Sequence, residues 1–131
     1  MREILFRGKR LDNGKQIEGY LVKNKFGPGD GNAYILNDIL GPCRVYPETV
    51  DQFTGKFDKN YRKIFEGDIV RAMMDFGPAG MLPVIVSICW DNSVGGWNWG
   101  YFDMSTIEVI GNIHDNPALL CLERRRNDIY E

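Results

Sequence analysis

The chain has 131 residues, 44% of them hydrophobic, with 16 Lys and Arg against 18 Asp and Glu for a formal net charge of −2. That length fits one ordinary domain or two small β modules sharing a core, and the slightly acidic balance gives the molecule as a whole no attraction for phosphate backbones. Charges interrupt the first apolar segment, MREILFRGKR, and no apolar run has the length of a signal peptide or membrane span, so the expectation is a soluble, unexported, cytoplasmic protein without a membrane partner.

The first predicted element is a hairpin. In ILFRGKRLDNGKQIEGYLV the pair Asn13-Gly14 suits a two-residue type I′ turn between strands near Ile4 to Leu11 and Gln16 to Val22. With that turn Asp12 opposes Lys15, Lys9 opposes Glu18 and Gly8 opposes Gly19, and Ile4, Phe6, Ile17 and Leu21 share one face. The paired glycines leave room for close approach of another strand. Gly27 to Asn32 reads as a loop, Ala33 to Leu36 as a strand, and Gly41 to Thr49, with Pro42 and Pro47, as an extended connection or edge strand. Gln52 to Tyr61 is polar and basic, which predicts an exposed loop between two halves of the molecule.

The second half reads as short strands and turns. KIFEGDIVRA (Lys63 to Ala72) places Glu66, Gly67 and Asp68 before Ile69 and Val70. Glycine permits positive φ, and the Asp68 carboxylate can accept backbone N–H groups, so the motif predicts a turn into a buried strand with Glu66 solvated. A catalytic carboxylate pair would need a dry pocket and a third group, which the neighbouring residues do not supply. Asp68 to Met73 and Val84 to Trp90 are predicted strands. WNWGY then puts Trp97, Trp99 and Tyr101 on one face of an extended segment. Thr106 to Ile113 is a further strand, and Asn116-Pro117 opens a short helix ending near Arg125. The fold expectation is mainly β: an N-terminal hairpin and loop region (residues 1–52), an SH3-like small barrel (53–115), and a short helix with a charged tail (116–131).

Cys43, Cys89 and Cys121 are odd in number and widely spaced, and His114 is the single histidine, so neither a disulfide framework nor a metal site is indicated. GPGDG at Gly27 to Gly31 lacks the Lys and the following helix of a phosphate loop. The expectation is a protein without catalytic residues, metal or cofactor.

TGKFDKNYRKIFEGDIV (Thr54 to Val70) together with IEVIGNIHDNPALL (Ile107 to Leu120) resembles the YopX family of phage and prophage proteins, as does the opening MREILFRGKRLDNGK. Tyr61 stands where that family commonly has glycine, which implies a wider loop before Arg62, and His114 stands where tyrosine is common. The resemblance implies an SH3-type barrel in the C-terminal half and a bacterial or temperate-phage setting. It carries over no catalytic residue, because the family has no established activity.

The preferred expectation is therefore a non-enzymatic accessory or regulatory protein that works by binding, with a protein partner favoured by the acidic balance. Self-association is compatible with this. The alternative is a nucleic-acid-binding SH3-like module in which Arg62, Lys63 and Arg71 contact phosphate while Trp97, Trp99 or Tyr101 stacks on bases. Two basic clusters, Lys56 to Lys63 and Arg124 to Arg126, bear on that choice.

Overall fold

A computed structural model describes residues 3–23, 32–100 and 102–120. They form a mainly β protein whose strands are β1 (Phe6–Lys9), β2 (Gln16–Lys23), β3 (Ala33–Asn37), β4 (Gly41–Val45), β5 (Asp51–Phe57), β6 (Lys63–Phe65), β7 (Asp68–Asp75), β8 (Met81–Ser87), β9 (Trp90–Asp91), β10 (Gly96–Trp97) and β11 (Glu108–Asn112). The chain divides into two compact units, Met1–Gly55 and Lys56–Glu131.

In the first unit the strands lie in the order β4-β3-β2-β1-β5, each pair antiparallel. Alternation sets the inner face: Ala33 and Ile35 on β3, and Cys43 and Val45 on β4, are buried while their neighbours along the strand are more exposed. With Ile17 they form a core against which Phe6, Leu21 and Val50 pack. Burial of an aliphatic chain such as Ile35 or Val45 contributes about 1.5–3 kcal/mol. The meander curls back on itself beyond β1. Arg10 bridges Val45, the Tyr46 N–H donates to the Lys9 carbonyl (2.9 Å), and the Leu11 N–H donates to the Arg44 carbonyl (3.1 Å).

The hairpin register differs from the expected one by two residues. Phe6 opposes Gly19, Arg7 opposes Glu18 and Gly8 opposes Ile17. The turn is longer than type I′: the Gly14 N–H donates to the Arg10 carbonyl, the Arg10 N–H to the Lys15 carbonyl, and Asn13 Oδ1 accepts the Lys15 N–H. Gly14 alone takes positive φ in this turn (70°), and Asn13 contributes through its side chain instead. A shift of two preserves strand parity, so Phe6, Ile17 and Leu21 still face the core. Ile4 does not; it is 56% exposed. The two glycines are not paired, but both admit close packing: a Cβ at Gly8 would press on Val45, and one at Gly19 would collide with the Leu36 carbonyl.

The expected loop from Gln52 to Tyr61 is largely β5. Phe53 and Thr54 are buried, and so are the flanking Asp51 and Asp58. Its polar composition is misleading because both carboxylates are used internally. Asp51 Oδ2 accepts from Nε and Nη2 of the buried Arg7, each at 3.2 Å, at the Arg7–Asp51 position of the β1–β5 ladder.

The second unit contains the antiparallel sheet β11-β7-β8 and the two-stranded ribbon β9-β10. Ile64, Val70, Ala72, Ile88, Ile107 and Val109 form its core, and Val86, Trp97, Trp99, Phe102 and Met104 pack against it. On β7 and β8 the even-numbered residues Val70, Ala72, Val84 and Val86 oppose one another on the core side, while Arg71, Met73, Pro83 and Ile85 lie on the other face. The Ile88 N–H donates to the Asp68 carbonyl and the Phe76 N–H to the Gly80 carbonyl, so even positions of β8 bond to β7 and odd positions turn their backbone groups to the sheet edge. Pro83, at such an edge position, has no N–H to offer. Asn98 covers the end of that edge, donating Nδ2 to the Ser87 carbonyl and accepting the Cys89 N–H.

Of the predicted aromatic strand only Gly96–Trp97 forms, paired with Trp90–Asp91. Residues 118–120 are helical, and the Asn116 side chain accepts from the Asn112 N–H rather than from the helix it precedes. The rest of the predicted helix, Gly27 to Gly31 of the predicted loop, Tyr101, Cys121 and Arg124 to Arg126 lie outside the described residues.

A cation-lined groove on the second unit

Two buried aspartates fix the loops around this site. In the segment Asp58–Arg62, Asp58 Oδ1 accepts the N–H groups of Asn60 (2.8 Å) and Arg62 (2.9 Å), while Oδ2 accepts that of Val109 on β11 (3.0 Å). Burial alone would raise the Asp58 carboxyl; the three N–H donors and the Arg62 charge outweigh it and leave its pKa lowered. The loop is thereby clamped to β11, and the Lys59 N–H donates to the Ile107 carbonyl beside it. Tyr61 sits in this loop with φ 62° and is 88% exposed. That left-handed backbone is one glycine adopts more readily than tyrosine.

The second aspartate answers the carboxylate-pair question. Gly67 has φ 83°, Asp68 is buried, and Asp68 Oδ2 accepts the Phe65 N–H at 2.8 Å. The Gly67 N–H donates to the Ile88 carbonyl and its carbonyl accepts the Ile113 N–H. Glu66-Gly67-Asp68 is a turn tied on both sides into the second unit. Glu66 is half-buried rather than solvated, contrary to expectation.

On the outer face of β7 and β8 lies a groove of about 420 Å³ lined by Lys59, Arg71, Ala72, Met73, Pro83, Ser105 and Thr106. Lys59 Nζ is 2.9 Å from Glu108 Oε2, and Arg71 Nη2 is 4.0 Å from the same oxygen. The hydrogen bond and charge of Lys59, assisted by Arg71, hold the Glu108 carboxyl below the usual glutamate range. Thr106 Oγ1 accepts the Met73 N–H and donates to the Asp103 carbonyl, and Ser105 Oγ donates to Asp103 Oδ1. These hydroxyls are already committed.

Beside the groove the β7–β8 hairpin end is apolar and solvent-facing. Phe76, Met81 and Leu82 are each more than 40% exposed, and no residue from Phe76 to Trp90 carries a charge.

Of the residues expected to bind a ligand, Arg71 lines the groove. Arg62 is exposed in the Asp58 loop and Lys63 begins β6. Trp97 and Trp99 are half-buried against the core, and Trp97 meets Trp90 edge-on with ring centroids 5.3 Å apart. Trp90, 49% exposed, is the more accessible indole. Sequence reasoning included Lys59 only as part of a charge cluster and missed Glu108, Met73 and Thr106; alternation along β7 and β11 is the one signal for Met73 and Glu108, and Thr106, in the turn before β11, has none. Among the described residues no group of three or more His, Cys, Asp or Glu side chains gathers to hold a metal, and no helix is long and apolar enough to cross a membrane.

The resemblance carried by the Asp-Lys-Asn loop, the Glu-Gly-Asp turn and the β11 strand extends over most of the chain: the profile of the YopX protein matches residues 5–121. The chain belongs to the YopX family. No curated protein matches it significantly. Within this YopX member the matched span includes Asp58, Gly67, Asp68 and Glu108, the residues that shape both loops and one side of the groove.

Proposed function

We propose that this YopX-family protein acts by binding another protein, as an accessory or regulatory factor of a phage or prophage in the cytoplasm of its bacterial host. The observation that carries the reading is the exposed, uncharged end of the β7–β8 hairpin, Phe76 to Pro83, adjoining a groove lined by Arg71 and Met73. Exposed apolar surface next to Arg, Met and an aromatic ring is the composition of protein-recognition patches. The nucleic-acid reading draws less support, because Trp97 and Trp99 are engaged by the core and Arg71 shares Glu108 with Lys59.

The test is site-specific photo-crosslinking in cells that carry the gene, with the crosslinker at Leu82 and, as a control, at Asn13 in the turn of the first unit. Protease-sensitive, nuclease-resistant adducts from Leu82 and not from Asn13 are expected. Adducts that disappear on nuclease treatment, or equal labelling from both positions, would refute the proposal.

A further inference from the structure

We infer that the groove of the second unit receives an acidic side chain, Asp or Glu, carried next to an apolar residue in an extended segment of the partner protein. The inference starts from which polar groups of the groove remain unspent. Ser105 and Thr106 are hydrogen-bonded to Asp103 and Met73, so the hydroxyl wall has no further demand. Lys59 is paired with Glu108 at 2.9 Å. Arg71 differs: its guanidinium presents five donors, and its ion-pair contact is a long one, 4.0 Å to an oxygen that Lys59 already holds. The Arg71 side chain is 59% exposed and rooted on β7, between Glu108 on β11 and Ile85 on β8. Its position is set by the sheet, while its fork is open to a planar, bidentate acceptor.

The charge balance then selects the acceptor. The two charged residues lining the groove, Lys59 and Arg71, are both cations and share the single Glu108 carboxylate. The Asp58 and Asp103 carboxylates accept from N–H and O–H groups of their own loops. A groove whose lining charges are both positive suits one further carboxylate. A run of phosphodiesters needs several cations in a row and would meet the Glu108 carboxylate as repulsion. The remaining walls, Met73 and Pro83, are apolar, and Met81, two residues before Pro83 on the same face of β8, continues that surface. They suit an aliphatic or aromatic side chain on the residue next to the acid. Pro83 also removes the edge N–H that simple strand addition at the middle of β8 would use, so affinity must come from side chains in the groove.

The inference rests on the protein-binding reading, and the two fail separately: a partner crosslinked at Leu82 but indifferent to Arg71 would keep the first and sink the second. The probe is an array of hexapeptides with a central Glu flanked by every pair of apolar residues, matched against the same array with central Gln, and read with the full-length protein. A subset of the Glu peptides is expected to bind, each at least tenfold more strongly than its Gln counterpart. By fluorescence anisotropy on the strongest peptide, Arg71→Gln should weaken binding tenfold or more, and Arg71→Lys should fall between, since an ammonium cannot reproduce the fork. Glu108→Gln should tighten binding severalfold by removing the competing carboxylate. Arg71 is solvent-exposed, and unchanged melting of the Arg71 variants verifies that the fold is intact. No preference for Glu over Gln, or a preference that survives Arg71→Gln, overturns the inference. So does a fluorescent dodecathymidylate that binds more tightly than every peptide and loses its binding on Arg71→Gln, for then the groove is a phosphate site.

Discussion

Single residues in this protein have effects out of proportion to their size where the backbone is left-handed or a carboxylate is buried. Gly67 (φ 83°) is the clearest case, because a β-branched side chain at that φ is a steric outlier. Gly67→Val should cost about 1–3 kcal/mol, and a melt of the variant close to the parent's would mean the turn tolerates another backbone. Asp68→Ala removes the acceptor of the Phe65 N–H in a buried setting and should cost on the order of 1–3 kcal/mol; Asp68→Asn keeps an acceptor and should cost less. Both positions were legible in the sequence, since Gly followed by Asp ahead of two β-branched residues has one economical reading. Tyr61 was not. Nothing in a tyrosine announces a left-handed φ. Relief of that backbone, worth roughly 1 kcal/mol, is offset in part by the extra freedom glycine gives the unfolded chain. Thermal melts should therefore rank Tyr61→Gly at or above the parent and Tyr61→Val below it by on the order of 1 kcal/mol. A Val variant as stable as the parent would mean the loop relaxes out of the left-handed region.

Elements are joined by buried charge, which is why their boundaries were the least readable feature. Acidic and basic residues from Asp51 to Lys63 suggest solvent, yet Asp51 ties β5 to β1 through Arg7, and Asp58 ties its loop to β11. Composition cannot distinguish a solvated carboxylate from one surrounded by N–H donors. The hairpin turn misled for a related reason: Asn13 acts by its side chain, while the hydrogen bonds of Lys9 with Tyr46 and of Leu11 with Arg44, about 110–130 Å of extended chain away, decide where pairing ends. Removing one partner of the Arg7–Asp51 pair should be severe, about 3–5 kcal/mol for Arg7→Met, because Asp51 keeps its buried charge. The double variant Arg7→Met with Asp51→Leu should recover a substantial part of that loss in urea unfolding, and no recovery would show that the pair's other contacts matter more than its charge. The Asp58 clamp predicts a pH dependence. Its folded carboxyl titrates below its ordinary value, so its stabilisation is complete above the unfolded value of about 3.9 and is lost as the pH falls from there through the folded value. Glu108, lowered by Lys59, acts in the same direction. Asp58→Asn should therefore be less stable at pH 7 and show a flatter decline between pH 5 and pH 2 than the parent. Parallel acid limbs would remove Asp58 from the account.

At the scale of the whole molecule, the sequence revealed a mainly β protein and left hidden how its sheets end. Strand-length apolar runs separated by turns survive any register error. The closing contacts of Lys9, Arg10 and Leu11 with Arg44, Val45 and Tyr46 do not announce themselves, because they join a turn to a strand edge through backbone atoms alone. The edge of β8 follows from one residue type. Its odd positions direct backbone groups outward, the chain from Phe76 to Trp90 carries no charge, and a net charge of −2 supplies little repulsion between molecules. Such an edge invites pairing with another chain, and Pro83 interrupts it by lacking an N–H midway between Met81 and Ile85. Pro83→Val restores that donor in a residue that favours strands, leaving three successive outward positions able to pair. The fold should be preserved, with thermal stability within about 1 kcal/mol of the parent, because Pro83 lies at a position that does not hydrogen-bond to β7. Self-association should rise. In sedimentation velocity the weight-average mass of Pro83→Val should climb with protein concentration more steeply than that of the parent, and adding a lysine at the same edge, Pro83→Val with Ile85→Lys, should suppress the climb. A Pro83→Val protein whose mass tracks the parent's over the same concentration range would mean that something other than the proline guards this edge.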